Sequence, residues 1–160
     1  PSQYLAAHAQ METFTPQVLM PYLPGPEYSV DMVVSQGTVL AAIGRRKEGV
    51  LQYLENEGEA IELAIDCARL MNADGMVNVQ TRHNAEGKPL LLEINMRPSG
   101  GIGYTQHSGV NLPGLYAFHT LGLMDEDQIR QSAKTDFSPA VVRSVTDVIR
   151  YPALLTNRID

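Results

Sequence analysis

Residues 91–101 of this chain read LLEINMRPSGG, and they predict a short strand followed by a glycine-rich turn. Alternate side chains of an extended strand share a face, so Glu93, Asn95 and Arg97 are expected on one side. The apolar residues between them would face a core. A carboxylate and an amide oxygen beside a guanidinium suit a magnesium-bound phosphate. The glycines let the chain turn close to that site.

A second polar strand is predicted just before this one. Residues 76–83 and 90–96 form a hairpin around a turn-prone segment, in a register that puts Gln80 opposite Glu93. The residues expected on the shared polar face are Asn78, Gln80, Arg82, Glu93, Asn95 and Arg97. A solvated sheet face is normally polar, but Asn is depleted in strands. A metal–phosphate site and a plain solvent face therefore both remain open.

The remaining patterns predict an α+β fold, an antiparallel β-sheet with packed helices. Residues 27–34 alternate polar and apolar side chains and pair with 38–43 through a hairpin. Residues 57–71 carry apolar side chains at helical spacing, with Asn56 as the expected cap. Further predictions are helices over 4–11, 112–121 and 125–133, strands over 17–22 and 140–149, and a loop or irregular strand over 44–53.

Composition excludes several function classes. The net charge is -6 with no run of Lys or Arg, which argues against non-specific nucleic-acid binding. We expect no membrane partner, because no apolar run reaches spanning length and no signal peptide is evident. The single cysteine, Cys67, excludes an internal disulfide and fits a cytoplasmic setting. The opening residues 1–4 read like the interior of a longer sequence, so we expect a fragment.

Two charged features are candidates for nucleotide contacts, each with an ordinary structural alternative. Arg45 and Lys47, with Arg46 between them, could clamp a polyphosphate, although a solvated strand end is the more frequent explanation. Glu27 follows a Pro-Gly-Pro turn, where its carboxylate could accept hydrogen bonds from ribose hydroxyls or simply begin a strand.

The loop after Arg97 carries glycines at positions 100, 101 and 103. It is not a Walker A motif, since no Gly-Lys-Ser/Thr follows, and its spacing does not fit a Rossmann fingerprint. The backbone N–H groups of Gly100 and Gly101 could hold phosphate or acyl-phosphate oxygens. A plain turn is the alternative.

Two stretches of the chain resemble ATP-grasp enzymes. Residues 18–31, VLMPYLPGPEYSVD, resemble the hinge-to-strand region of that family. Asn-Val-Gln at 78–80, followed by Glu-Ile-Asn-Met-Arg at 93–97, resembles its metal and phosphate strands, most closely those of carbamoyl phosphate synthase large subunits. The resemblance implies the C-terminal lobe of an ATP-grasp fold over 17–122, a remnant of the preceding lobe over 1–16, and a C-terminal helix and strand extension over 123–160.

The resemblance also implies roles for the residues that match. Glu93 would bridge two Mg2+ (or Mn2+) ions, and Gln80 and Asn95 would complete the metal shell. Arg97 would be the catalytic residue, in contact with the terminal phosphate of ATP or with an acyl phosphate.

The nucleotide contacts implied by the resemblance lie earlier in the chain. Glu27 would bind the ribose hydroxyls. Met20 to Tyr22 would form the hinge beside the adenine, mostly through the backbone. The family often has an acid where this chain has Met20, which leaves the contact to the adenine amino group open.

The function implied is that of an ATP-dependent carboxylate ligase working through an acyl-phosphate intermediate. Its partners would be a small-molecule carboxylate, an amine-type nucleophile and the missing N-terminal lobes of the same protein. Family members have two phosphate-binding lysines and a flexible glycine-rich loop in a lobe that nothing before residue 17 matches. We therefore expect the isolated fragment to lack activity. Because the lobe face normally covered by the missing domain would be exposed, the fragment could also form a homodimer. The alternative is a non-catalytic interaction or regulatory domain that retains the fold.

Overall fold

The protein folds around one antiparallel sheet of six strands. The computed structural model describes residues 2–10 and 20–143. The strands are β1 (Glu27–Ser35), β2 (Thr38–Glu48), β3 (Leu51–Glu55), β4 (Gly75–His83), β5 (Pro89–Asn95) and β6 (Ala140–Arg143). The helices are α1 (Ser2–His8), α2 (Glu59–Leu70), α3 (Leu112–Thr120) and α4 (Glu126–Asp136), with a 3-10 helix over Ile102–Ser108. The strand order is β5-β4-β1-β2-β3-β6, and the predicted α+β class is confirmed.

One face of the sheet packs against α2. Val30, Met32 and Val34 of β1 are essentially fully buried there. Ile61 and Ala64 of α2 meet them, because apolar residues three and four apart share one side of a helix. Each fully buried aliphatic side chain stabilises the fold by about 1.5–3 kcal/mol, so this cluster is a main support of the sheet.

The opposite face is divided along the length of its strands. At one end, Val33 and Ile43 pack beneath Leu112 of α3 and Ile129 of α4. Toward the other end, the same face carries polar side chains from β1, β2, β4 and β5. Within residues 2–10 and 20–143, α3 and α4 cover the apolar end of this face and do not extend over its polar end.

The ends of several elements differ from the predictions. Residues 44–48 and 51–55 are strands, which confirms the strand alternative of the predicted loop or irregular strand. Gly44 lies against Ile61 and lets α2 approach β2. Helix α2 begins after Gly58, so Asn56 does not cap it. Residues 20–22 are not a strand, and 17–19 lie outside the described residues.

The other predicted elements are confirmed with small shifts. Helix α3 is capped by Asn111, whose side chain accepts from the Gly114 N–H at 3.0 Å. Helix α4 begins after Asp125 in a capping box. The β-rich segment is confirmed over Ala140–Arg143, and residues 144–149 lie outside the described part. In the described ranges, no helix combines the length and apolar character needed to cross a membrane.

Candidate functional site

The hairpin of β4 and β5 brings the three predicted metal ligands together. Gln80 lies opposite Glu93 and Asn78 opposite Asn95, as the sequence predicted. The Gln80 Nε2 atom donates to Glu93 Oε1 at 2.7 Å, and Asn95 Nδ2 donates to the same oxygen at 2.9 Å. Two amides from adjacent strands thus converge on one carboxylate oxygen.

A bulge lies directly beside this group. Gln80 pairs with Glu93, but Thr81 pairs with Leu91, so Leu92 is an extra residue in β5. Bulges of this kind bend a strand and redirect its side chains, and they are common next to active sites. Because of this bulge, the pairing of Gln80 with Glu93 is offset by one residue from the pairing nearer the turn, where His83 lies opposite Pro89.

The oxygen atoms of this group fit a hard cation. Rotating the Gln80 or Asn95 amide by a half-turn would replace its NH2 with its carbonyl oxygen beside Glu93. One carboxylate with two amide oxygens suits Mg2+, which keeps several waters and uses substrate phosphates as ligands. Among residues 2–10 and 20–143, no three His, Cys, Asp or Glu side chains form a metal cluster. A cation here would therefore depend on the amides and on phosphate oxygens.

A second charged group lies at the open end of the same face. Glu27 of β1 pairs across the sheet with Lys47 of β2 and Arg82 of β4. Lys47 Nζ lies 2.5 Å from Glu27 Oε1, and Arg82 Nη1 lies 3.9 Å from Oε2. All three side chains are 27–40% exposed, so a ligand can reach them. Two cations around one acid suit phosphates and hydroxyl groups.

The predicted hinge residues are exposed and lie outside any strand. Met20 is 50% exposed and Tyr22 is 85% exposed. The segment that follows them is tied to the end of β4, since the Gly25 N–H donates to the His83 carbonyl at 2.9 Å. This contact brings the hinge to the same end of the sheet as Glu27. An adenine contact at Met20 or Tyr22 stays a prediction.

Arg45 does not occupy the exposed position predicted for it. Its side chain is 3% exposed, and its guanidinium is surrounded by buried acceptors. Nη1 donates to Gln52 Oε1 at 2.7 Å, and Nε and Nη2 donate to Asp31 Oδ2 at 3.3 and 3.2 Å. We therefore correct the predicted exposed clamp at Arg45, because its donors are already engaged within the sheet.

Arg97 and the two glycines follow the strand and do not belong to it. Strand β5 ends at Asn95, so Arg97 lies beyond the alternation that predicted its place on the polar face, and that place stays a prediction. The Arg97 side chain is exposed, and its Nη1 donates to the neighbouring Pro98 carbonyl at 3.1 Å. A Cβ atom on Gly101 would collide with the Arg45 guanidinium, whereas one on Gly100 would meet open space.

A separate polar network lies on the α2 face of the strands. Tyr28 donates to Glu55 Oε2 at 3.0 Å, and Arg46 Nε donates to Glu55 Oε1 at 2.9 Å. Burial, helped by the nearby Glu55 carboxylate, raises the pKa of Tyr28 to about 12. Arg46 also lies over the Tyr53 ring, 4.2 Å from its centroid. Arg46 is thus on the opposite face from Lys47.

Sequence reasoning missed the residues that support the site. Asp31 was predicted on the polar face of β1, but nothing in the pattern linked it to Ser99. The two are 68 residues apart in the chain and are in direct hydrogen-bonding contact. Only the fold brings them together.

The comparison with known families decides the identity of the fold. Residues 13–148 match the model of a family described as ATP-grasp in the biosynthetic pathway with Ter operon. This chain belongs to that ATP-grasp family. A comparison with curated proteins finds no match.

Solved structures similar to this ATP-grasp chain come from longer proteins. An L-amino acid ligase from Bacillus licheniformis has 19% identity and a TM-score of 0.47, over 62% of this chain and 29% of the ligase. An ADP complex of N5-carboxyaminoimidazole ribonucleotide synthetase has 17% identity and a TM-score of 0.45, over 61% and 29%. A biotin carboxylase from Campylobacter jejuni has 14% identity and a TM-score of 0.44, over 73% and 27%. The chain therefore spans less than a third of each.

Proposed function

We propose that this chain supplies the magnesium- and phosphate-binding part of an ATP-dependent carboxylate ligase. Membership of an ATP-grasp family supports the general class. The observation that carries the proposal is the convergence of Gln80 and Asn95 on one oxygen of Glu93. A similarity to carbamoyl phosphate synthase remains a prediction from the sequence.

Glu93, Gln80 and Asn95 would hold the metal, which when bound neutralises charge on the ATP phosphates. Lys47 and Arg82 would attract phosphate oxygens at the open end of the sheet, while Glu27 accepts hydrogen bonds from ribose hydroxyls. Their distances and exposure support this arrangement.

The chemistry in this proposal has two steps. A carboxylate oxygen of the substrate attacks the γ-phosphorus, the bond to the β,γ-bridging oxygen breaks, and ADP leaves. An amine then attacks the carbonyl carbon of the acyl phosphate, the bond from that carbon to the phosphate oxygen breaks, and inorganic phosphate leaves with a proton from the amine as the amide forms. Arg97 would stabilise negative charge on the transferred phosphoryl group. The residues act by positioning and electrostatics, which needs no protein nucleophile.

The alternative is a non-catalytic domain that keeps the ATP-grasp fold for interaction or regulation. The two classes differ in the need for an upstream lobe with phosphate-binding lysines. A full-length sequence with that lobe would favour the ligase, and its absence would favour the alternative.

Calorimetric titration of the full-length protein with Mg-ATP tests the metal assignment. We expect Glu93→Ala and Asn95→Ala to weaken Mg-ATP binding by about tenfold or more, since each removes a metal ligand. Affinity for ATP without metal should change little.

Glu86→Ala is the matched control, because Glu86 is an exposed acid in the turn between β4 and β5. It should bind Mg-ATP as the parent does. If Glu93→Ala also binds like the parent, the assignment of the metal site is wrong.

A further inference from the structure

One loop residue is tied into the centre of the sheet. The Ser99 hydroxyl donates to Asp31 Oδ2 at 2.7 Å and accepts from Arg45 Nη2 at 2.7 Å. The Ser99 N–H donates to Asp31 Oδ1 at 2.9 Å. The start of the glycine-rich loop is therefore held by an ion pair that belongs to β1 and β2.

That ion pair is buried and its hydrogen bonds are well satisfied. Asp31 is 0% exposed and Arg45 is 3% exposed. Asn78 Nδ2 also donates to Asp31 Oδ1 at 3.2 Å, and Arg45 Nη2 donates to Ser29 Oγ at 2.8 Å. A buried ion pair is tolerated when further hydrogen bonds satisfy its remaining atoms. In this cluster, Ser99 is the member that does not come from a strand.

The backbone of the loop also lies directly against Arg45. A Cβ atom on Gly101 would collide with the guanidinium, so only glycine fits there without movement. Gly100, one residue earlier, has open space in the same direction. Two independent contacts, at residues 99 and 101, thus place the loop on the buried pair.

In the sequence, Arg97 lies midway between Ser99 and the candidate metal ligand Asn95. It is two residues after Asn95, which is held in the sheet, and two residues before Ser99. Its exposed side chain donates to the adjacent Pro98 carbonyl, so its position depends on the backbone at both ends. A small displacement of a phosphate-binding group weakens its contribution strongly.

We propose that Asp31, Arg45 and Ser99 form a latch that positions Arg97 and the glycine loop over the metal-bound phosphates. The three are positioning residues and need not touch a ligand. This inference rests on the proposed function, because the phosphates belong to it. It assigns Arg45 a supporting role in place of direct phosphate contact.

The first test needs no ligand. Hydrogen–deuterium exchange of the full-length protein should show faster exchange over residues 97–102 in Ser99→Ala than in the parent. Ser99→Thr keeps the hydroxyl and the N–H and should restore slow exchange. Ser108→Ala is the matched control, since the Ser108 hydroxyl donates to Thr105 O within the 3-10 helix that follows the loop.

The second test is titration of the same variants with Mg-ATP and with Mg-ADP. Ser99→Ala should weaken Mg-ATP binding by about tenfold, the lower end of the usual loss when a supporting contact at such a site is removed. Mg-ADP lacks the terminal phosphate that Arg97 would contact, so it should bind as tightly as to the parent, and Ser99→Thr should recover Mg-ATP affinity. A general loss of structure would weaken both nucleotides equally.

The outcomes separate the latch from the proposed function. If the parent shows no dependence of ATP affinity on Mg2+ and Glu93, the proposed function fails and positioning for phosphates fails with it. If the parent shows that dependence but Ser99→Ala matches the parent, the latch alone is overturned. Equal weakening of Mg-ATP and Mg-ADP would also overturn it, since a structural role would then be enough.

Discussion

Three consecutive basic residues have three different environments. Arg45 is buried beside Asp31, Arg46 lies over Tyr53 on the opposite face, and Lys47 returns to the first face beside Glu27. The alternation of a strand separates them, because successive side chains point to opposite faces. A basic cluster in the sequence is therefore not a cluster in space, and only Lys47 of the two predicted clamps is accessible to a ligand.

The network around Tyr28 predicts a pH effect on stability. The folded protein holds the pKa of Tyr28 at about 12, against an ordinary value of 10.0. A raised phenol pKa means that the fold favours the neutral form. The contribution of the neutral Tyr28 hydroxyl to the free energy of unfolding is complete below pH 10 and is lost as the pH rises toward 12.

The parent should thus lose thermal stability over that range more steeply than Tyr28→Phe, which has no phenol to ionise. Ultraviolet absorbance should show one late tyrosinate transition in the parent that is missing in Tyr28→Phe. Glu55→Gln should move the transition to lower pH, since it removes a neighbouring negative charge. Identical absorbance titrations for the parent and Tyr28→Phe would contradict the assignment.

At the scale of elements, α2 packs closely against β2 at Gly44, which has no side chain. A Cβ atom on Gly44 would lie 2.8 Å from Ile61 Cδ1 and 2.9 Å from Ile61 Cγ1. Glycine within a strand usually weakens it, but here it permits close helix–sheet packing. This contact lies where β2 continues beyond residue 43, in the segment predicted as a loop or irregular strand.

Gly44→Ala should reduce the free energy of unfolding by about 1–3 kcal/mol, the usual cost of overpacking a core. Urea denaturation followed by circular dichroism measures it. Ile61→Val removes the Cδ1 methyl group, so the double variant should be more stable than the sum of the single changes. Gly103→Ala, with open space around its Cβ position, should change the free energy by no more than about 0.5 kcal/mol. Strict additivity of Gly44→Ala and Ile61→Val would argue against this contact.

At the scale of the whole molecule, the two faces of the sheet differ in character. Its α2 face is apolar along most of its length, whereas in the part of the chain that the structure describes α3 and α4 cover its other face at one end only. The uncovered end carries Glu27, Lys47 and the Glu93 group. A nucleotide on this end would be open to solvent on the side away from the sheet, which fits a site shared with a second lobe.

We therefore expect residues 1–160 alone to bind Mg-ATP at least about tenfold, or 1.4 kcal/mol, more weakly than the full-length protein. The missing contacts would be those of the other lobe. Parallel calorimetric titrations of the two proteins measure the difference. Equal affinities would mean that this sheet face is sufficient for nucleotide binding. Sedimentation of residues 1–160 would also test the expected homodimer.

Much of the fold follows from local patterns in the sequence. Alternation predicted β1, β4 and β5, and helical spacing predicted α2. These features depend on neighbours in the chain, and hydrophobic periodicity reports them directly. The predicted pairing of Gln80 with Glu93 is confirmed, but it depends on the extra residue Leu92, because the pairing of His83 with Pro89 alone would put Gln80 opposite Leu92.

What the tertiary structure alone decided involves contacts between distant residues. The close approach of α2 to Gly44 depends on Ile61, the burial of Arg45 depends on Asp31 and Gln52, and the loop after Arg97 depends on Ser99 reaching Asp31. No local pattern encodes such contacts, because each arises only when separate strands and helices pack together. The sequence by itself determined which polar residues alternate along β4 and β5, and the packing decided which polar side chains converge and which are buried.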